Sequence, residues 1–303
     1  SVRWMKYMKM KKRNGFGNVR LFLLFALPAV FIWVSVVVRP FFYGVGITFT
    51  DWDGMSMNIN FIGLDNYREV FTDSAFITSL LKTVIFVVGS VVLSNVIGIL
   101  LGLAVTSGIR GQKLFRVGFF TPNIIGGIIL GYIWNFIFSY VLTSLGESWG
   151  IESLSTSWLT DPNKALAALV IVSAWQMSGY LMVIYIAGLT NVPEELKEAA
   201  LIDGASYRQM VRYVTLPLIR NTIAICVFLS ITRSFMSFDL NLSLTAGGPY
   251  KSTELIAYQI YQTAFTSMEY GKGQAQALVL FVIVAVVALL QVYFTKKGAV
   301  EES

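Results

Sequence analysis

The chain has 303 residues, of which 55% are hydrophobic and only 13% charged, with a net charge of +6 and no histidine. A soluble domain carries about 25% charged residues, so this composition excludes an ordinary water-soluble body. The missing imidazoles exclude histidine metal sites, serine-hydrolase triads and histidine acid–base chemistry, and the single Cys226 allows neither an internal disulfide nor a thiolate cluster.

A basic tail, residues 1–20, precedes the first apolar run, Leu21 to Val38, which is uncharged over 18 residues and stops at Arg39 and Pro40. Secretory signals have apolar cores of about 7–15 residues, so this run is expected to stay as an uncleaved span. The following segment interleaves Asp51, Asp53, Asp65, Glu69 and Asp73 with Trp52, Phe61 and Tyr67, and Leu64 to Phe71 predicts a short amphipathic helix at the interface. Further apolar runs are Thr83–Val105, Val117 to about Leu142, Ala165–Leu189, a shorter and more polar Asn221–Thr232, and Gln276–Phe294 ending at Lys296 and Lys297. About 20 residues at 1.5 Å rise cross a hydrocarbon core of about 30 Å, where every backbone amide needs a partner within the protein. The expected fold is all-α: one polytopic membrane domain of six transmembrane helices, residues 21–297, with a short tail, 298–303. Gly98 with Gly102, and Gly127 with Gly131, are spaced for close helix packing inside the chain. Asn95, Asn123 and Asn135 are expected to hydrogen-bond between helices, and Cys226 to pack as a small buried residue.

Sixteen Lys and Arg residues lie in the tails and the even-numbered loops, against seven in the odd-numbered loops. Positive charge marks the cytoplasmic side, so both termini are expected in the cytoplasm of a bacterial cell membrane. The same clustering at the ends of apolar runs explains the basic balance without a nucleic-acid partner, with membrane lipid as the surrounding medium.

The loop at about 191–217 is unusually detailed. Pro193 suits a first helical position and Glu194 and Glu195 favour a helix N-terminus. Gly204 suits the left-handed residue that ends a helix, and Ser206 with Gln209 forms a capping box for a second helix that is expected to stop before Pro217. Ala199, Ala200, Gly204 and Ala205 give the bend a low profile, with Glu198 and Asp203 beside it for basic groups. A plain connecting loop has no need of this chemistry.

The run Glu198-Ala199-Ala200 with Asp203-Gly204-Ala205, followed by Leu216-Pro217, resembles the cytoplasmic coupling motif of binding-protein-dependent ABC importers. Phe49 to Trp52 with Phe61 to Tyr67, and Thr245 to Pro249 with Ser252 to Glu254, resemble outer loops of the sugar branch, near its maltose-type and glycerol-3-phosphate-type permeases. Ala246 stands where that branch usually has glycine, and the extra N-terminal spans and large outer domain of the maltose first subunit are missing. The resemblance implies a type I importer permease fold, and a short coupling helix seated on an ATPase subunit. It also implies a second permease subunit, two ATP-binding-cassette subunits and an extracellular solute-binding protein that delivers a sugar or oligosaccharide.

Gly271-Lys272-Gly273 and Gly247-Gly248-Pro249 lack the spacing of a phosphate-binding P-loop, so the chain is expected to be no enzyme and to hold no cofactor, with ATP and Mg in the partner ATPase subunits. Polar residues at membrane depth mark pathways. The predicted substrate path comprises Trp175, Gln176, Ser178 and Tyr180 in the fourth span and Ser230, Arg233, Ser234, Ser237, Phe238 and Asp239 around the fifth. Of these, Tyr180, Ser230, Arg233, Ser234 and Ser237 match the sugar-site region of the resembled family, counted from the coupling motif. The other reading of the same features is a membrane scaffold or sensor that docks a nucleotide-binding partner without forming a path.

Overall fold

Helix is the regular structure throughout the described residues, apart from one antiparallel bridge between Thr50 and Phe61. The computed structural model describes residues 15–300 except 109, with side chains from 22 to 295. The basic residues Arg3 to Arg13 of the charge count, and residues 301–303 of the tail, lie outside the described residues.

Helix α1 (Gly15–Trp33) passes through a π-helical turn, Val34–Val38, into α2 (Arg39–Ile47). The apolar span is therefore Phe22–Ile47 and does not end at Arg39 and Pro40. Pro40 falls in the first turn of α2, just after the widened turn, where a missing N–H is absorbed. None of the most apolar stretch of this span is buried in the chain. Only its far end packs: Phe41 meets Phe281 edge to face at 5.9 Å, and Gly44 is buried beside Gln274.

The amphipathic segment forms α3 (Asp65–Thr72). Asp73 then caps α4 (Ser74–Thr106), accepting from the backbone N–H groups of Ala75 and Phe76. Lys272 ties this corner to the last helix, 3.3 Å from Asp73 and 3.6 Å from both Glu69 and Glu269.

The third apolar run is not one helix. It divides into α5 (Gln112–Ile124), α6 (Gly127–Phe136), a π-helical turn at Ile137–Val141, and α7 (Leu142–Trp149), and the stretch long and apolar enough to span is Gly127–Trp149. Pro122 removes a helical N–H, and Ile125 and Gly126 adopt extended ψ values of 128° and 142°.

Helix α8 (Pro162–Thr190) is capped by Asp161, whose carboxylate accepts from the backbone N–H groups of Asn163 and Lys164. It pairs with α4 along a seam that includes Gly89, Gly98 and Gly102, the last two buried. A Cβ on Gly98 would lie 3.0 Å from the Leu181 Cβ, and one on Gly102 3.1 Å from the Tyr185 Cβ. Apolar lipid supplies no hydrophobic drive between helices, so close backbone approach and dispersion hold this seam.

After α9 (Glu194–Ile202) come α10 (Tyr207–Met210), a π-helical turn at Val211–Thr215, α11 (Leu216–Leu218) and α12 (Arg220–Phe235). The segments Tyr207–Leu218 and Arg220–Phe235 form one span bent by 73°. The helix thus runs through Pro217 instead of stopping before it: the π-helical turn carries the chain past the proline, and the bend falls at Ile219, with ψ at 15°. The fifth span is longer than the predicted Asn221–Thr232 for the same reason. Helices α13 (Asp239–Leu244) and α14 (Ile256–Tyr261) follow, the latter extended by a π-helical turn at Gln262–Thr266, and α15 (Tyr270–Val300) closes the bundle. Five helices are long and apolar enough to span, and the bent pair makes a sixth.

A buried polar knot joins three helices. The Asn95 amide donates to Ser230 Oγ at 2.9 Å, and the Tyr185 hydroxyl donates to Asn95 Oδ1 at 2.8 Å. Cys226 is fully buried in the same cluster. Asn95→Ala removes the oxygen that the Tyr185 hydroxyl donates to and is expected to cost about 1–2 kcal/mol. Melting followed by a dye that reacts with Cys226 as it becomes exposed should show Tm lower by about 2–4 °C per kcal/mol. An unchanged Tm would mean that the knot adds no net stability.

Candidate functional site

Two breaks in regular helix meet at the same depth: the one at Ile125 and Gly126, and the irregular turn Met236 to Phe238 between α12 and α13. Between them opens a cavity of about 210 Å³, lined by Gly127, Ser173, Gln176, Met177, Arg233, Ser234 and the segment 236–240. Ser173 to Met177 lie in the middle of the 29-residue α8, so the cavity sits near mid-span. Irregular backbone at such depth is tolerated where it is buried in protein or lines a cavity.

The freed backbone groups are met by side chains. Gln176 Nε2 donates to the Ile125 carbonyl at 3.1 Å, and the Ser243 hydroxyl approaches the Gly127 carbonyl at 3.3 Å. Arg233 Nη1 donates to Asn123 Oδ1 at 2.7 Å. Asn135 donates to the Leu244 carbonyl at 2.7 Å, so all three predicted asparagines bridge elements. Gly127 and Gly131 let α6 lie against α13: a Cβ on Gly127 would fall 2.8 Å from the Asp239 Cβ. The Ser234 hydroxyl is buried on the cavity wall with no hydrogen-bond partner among the described residues. The lining thus offers a cation, a carboxylate, an amide, hydroxyls and the Phe238 ring, a set that matches a polyhydroxylated solute.

Of the predicted path residues, Gln176, Arg233, Ser234, Ser237, Phe238 and Asp239 come together in this lining. The other four lie outside it. Trp175 stacks edge to face on Trp134 at 5.4 Å, and Ser178 donates back to the Trp175 carbonyl at 3.0 Å. Tyr180 packs against the buried apolar cluster that includes Met177, Leu181 and Tyr185, and Ser230 belongs to the Asn95 knot. Gly127, Ser173, Met177, Met236 and Leu240 in the lining were not predicted. Ser173 lies three residues before Gln176 and Met177 four after Ser173, so helical periodicity stepped from Gln176 through Ser173 would have found both.

At the end of the bundle where α4 and α8 finish, α9 projects with its last turn uncovered. The Ala205 N–H donates to the Ala200 carbonyl and the Gly204 N–H to that of Leu201, at 3.0 and 3.1 Å, the pair of bonds of a Schellman motif. Gly204 has φ +86°. Ser206 and Gln209 form the expected capping box. Pro193 occupies the N-cap, so α9 begins one residue later than predicted, at Glu194. Glu198, Ala199, Asp203 and Gly204 are exposed, Ala200 and Ala205 half-buried. Ile202, 85% exposed, and Leu201 leave an apolar tip.

At the opposite end, Trp52 sits in a stiff turn. Asp51 accepts from the Asn60 side chain and backbone, and Asp53 from the backbone N–H groups of Ser56 and Met55. These donors hold both carboxyls below the usual aspartate value.

A helical bundle whose spans break around a polar mid-depth cavity, with an uncovered knuckle at one end, has the architecture of a membrane transport subunit. The chain belongs to the family of binding-protein-dependent transport system inner membrane components, whose pattern matches residues 94–298. Among its relatives, a probable starch degradation products transport system permease of Thermoanaerobacterium thermosulfurigenes is 43% identical over 96% of this chain and 99% of its own. A multiple sugar-binding transport system permease of Streptococcus mutans is 33% identical over 90% and 94%. A solved bacterial ABC transporter involved in import of the acidic polysaccharide alginate superposes with a TM-score of 0.79, covering 93% of this chain and 98% of the matched one. At 20% identity that likeness speaks for the fold. The protein is therefore a multi-pass membrane subunit of an ABC transport system.

Proposed function

We propose that the chain forms part of the translocation path of an importer for sugars or oligosaccharides. The observation that carries this reading is the mid-depth cavity, whose hydroxyl, amide and charged groups are set in otherwise apolar spans. The starch-product and multiple-sugar relatives support the solute class. In this reading a second permease subunit completes the path, and a solute-binding protein loads it from the end that carries Trp52. Two ATPase subunits, holding ATP and Mg, dock on Glu198, Ala199, Ala200, Asp203, Gly204 and Ala205. The charge asymmetry supports placing that end in the cytoplasm. A scaffold or sensor that moves nothing has no use for the cavity.

The test is uptake by sealed vesicles carrying the complete complex, with binding protein supplied at the Trp52 face and ATP at the α9 face. Sugar accumulation that needs this chain, and needs the components on those sides, is expected. Accumulation with the two components exchanged would reverse the orientation, and no accumulation of any sugar would remove the import reading.

A further inference from the structure

We propose that a row of aromatic side chains forms a stacking track for pyranose rings, leading from the loop end of the bundle down to the cavity; this deepens the sugar-import reading and rests on it. The row starts at Phe238 in the cavity lining. The Phe238 ring lies 5.0 Å from Tyr261, Tyr261 lies 5.1 Å from Phe265, Phe265 lies 5.1 Å from Tyr270, and Tyr270 lies 5.5 Å from Trp52. Five rings from separate elements thus make one unbroken line: the turn before α13, the end of α14, its π-helical extension, the start of α15 and the loop after α2. Tyr261 is 38% and Phe265 51% exposed, so the middle of the line is open to a ligand.

The chemistry fits a sugar. An aromatic ring has a negative face, and the C–H face of a pyranose is apolar and weakly positive. Stacking therefore covers that face while the hydroxyls at the ring edge stay free for water or for the polar cavity. Equivalent rings at even steps let a chain advance without breaking specific hydrogen bonds.

Two plainer roles fit less well. Core packing is what the other aromatic series does: Trp158, Phe138, Trp134 and Trp175 are similarly spaced, but Phe138 is buried at 3% exposure and the series lies within the main core. An interfacial aromatic belt lies at one depth, at the membrane–water boundary. This row instead descends from the loop to the level of the middle of α8. Its outer end is also built in place. The Trp52 indole N–H donates to the Ser56 carbonyl at 3.1 Å. Gly54, with φ +87°, lies so close to the Tyr270 ring that a Cβ would overlap it.

The test compares maltose and maltohexaose uptake by the complete complex in proteoliposomes. Tyr261→Leu and Phe265→Leu keep apolar bulk but remove the ring. Each should raise KM for maltohexaose about tenfold, the upper range for an aromatic contact, and change KM for maltose by no more than about twofold. Tyr261→Phe and Phe265→Trp, which keep a ring, should behave as wild type. Leucine variants that handle both sugars normally overturn the track, leaving the rings as contacts to lipid or to another subunit, while wild-type uptake still upholds the import reading. A wild-type complex that takes up neither these two sugars nor any other removes both. Should the leucine variants fail to assemble, Phe265→Trp decides: its added indole emission should shift with maltohexaose, and no shift overturns the track.

Discussion

Replacing Gly204 by proline is expected to abolish uptake by the assembled complex while the spans remain inserted. Gly204 sits at φ +86°, and proline is fixed near −65°. Its N–H also donates to the Leu201 carbonyl, a bond that proline cannot make. The change costs about 3 kcal/mol or more at that turn and re-aims the tip that carries Leu201 and Ile202. Gly204→Ala is the graded control. A Cβ there meets open space, so the only cost is the left-handed backbone, about 1–2 kcal/mol, and partial activity should remain. Glu198→Lys tests the charge beside the bend. An exposed pair would lose about 1 kcal/mol or less, and a contact desolvated by a docked partner about 3–5 kcal/mol. The measurement is ATPase stimulation by loaded binding protein, together with uptake. If Gly204→Pro and Glu198→Lys both retain normal stimulation and uptake, α9 is not the coupling element.

Arg233→Ala is expected to raise KM for sugar uptake by about 10- to 100-fold, the equivalent of a charged hydrogen bond worth about 1.5–3 kcal/mol. Arg233 supplies the guanidinium of the cavity lining and is aimed by its 2.7 Å bond to Asn123. Asn123→Ala should then reproduce part of the effect without touching solute. Ser234→Ala removes a hydroxyl that has no partner among the described residues, and should cost severalfold in KM with little loss of stability. Tyr180→Leu, outside the lining, should leave KM near wild type. Uptake kinetics in proteoliposomes separate these outcomes. An Arg233→Ala complex with unchanged KM would place the solute elsewhere.

The parts of this structure governed by local chemistry were legible in the sequence. Apolar length gave the spans, and Gly204, Ser206 and Gln209 gave the knuckle, because caps depend on residues three or four apart. The break at Ile125 was not read from the sequence, although Pro122 and the Gly126–Gly127 pair signal a break. The run from Val117 to Leu142 is apolar on both sides of it, and glycine is common in membrane helices. The cavity lining depends on the register of α8 against α6, α12 and α13, which no local pattern fixes. Tyr180 shows the difficulty. It lies four residues beyond Gln176, on nearly the same stripe of α8, yet one turn further along it packs against the buried apolar cluster that includes Met177, Leu181 and Tyr185. Ser230 lies outside the cavity lining for a related reason: a buried serine serves equally as a wall of a path or as an acceptor for Asn95.

The first span has a separate consequence. Phe22, Phe25, Phe31 and Trp33 all face outward, so substitutions among them remove no contact from the interior. Their effects belong to a different equilibrium, between this helix and whatever surface surrounds it. A screen that scores folding of the isolated chain would pass such variants as silent, and only a measurement on the whole assembly, across bilayers of different thickness, would register them.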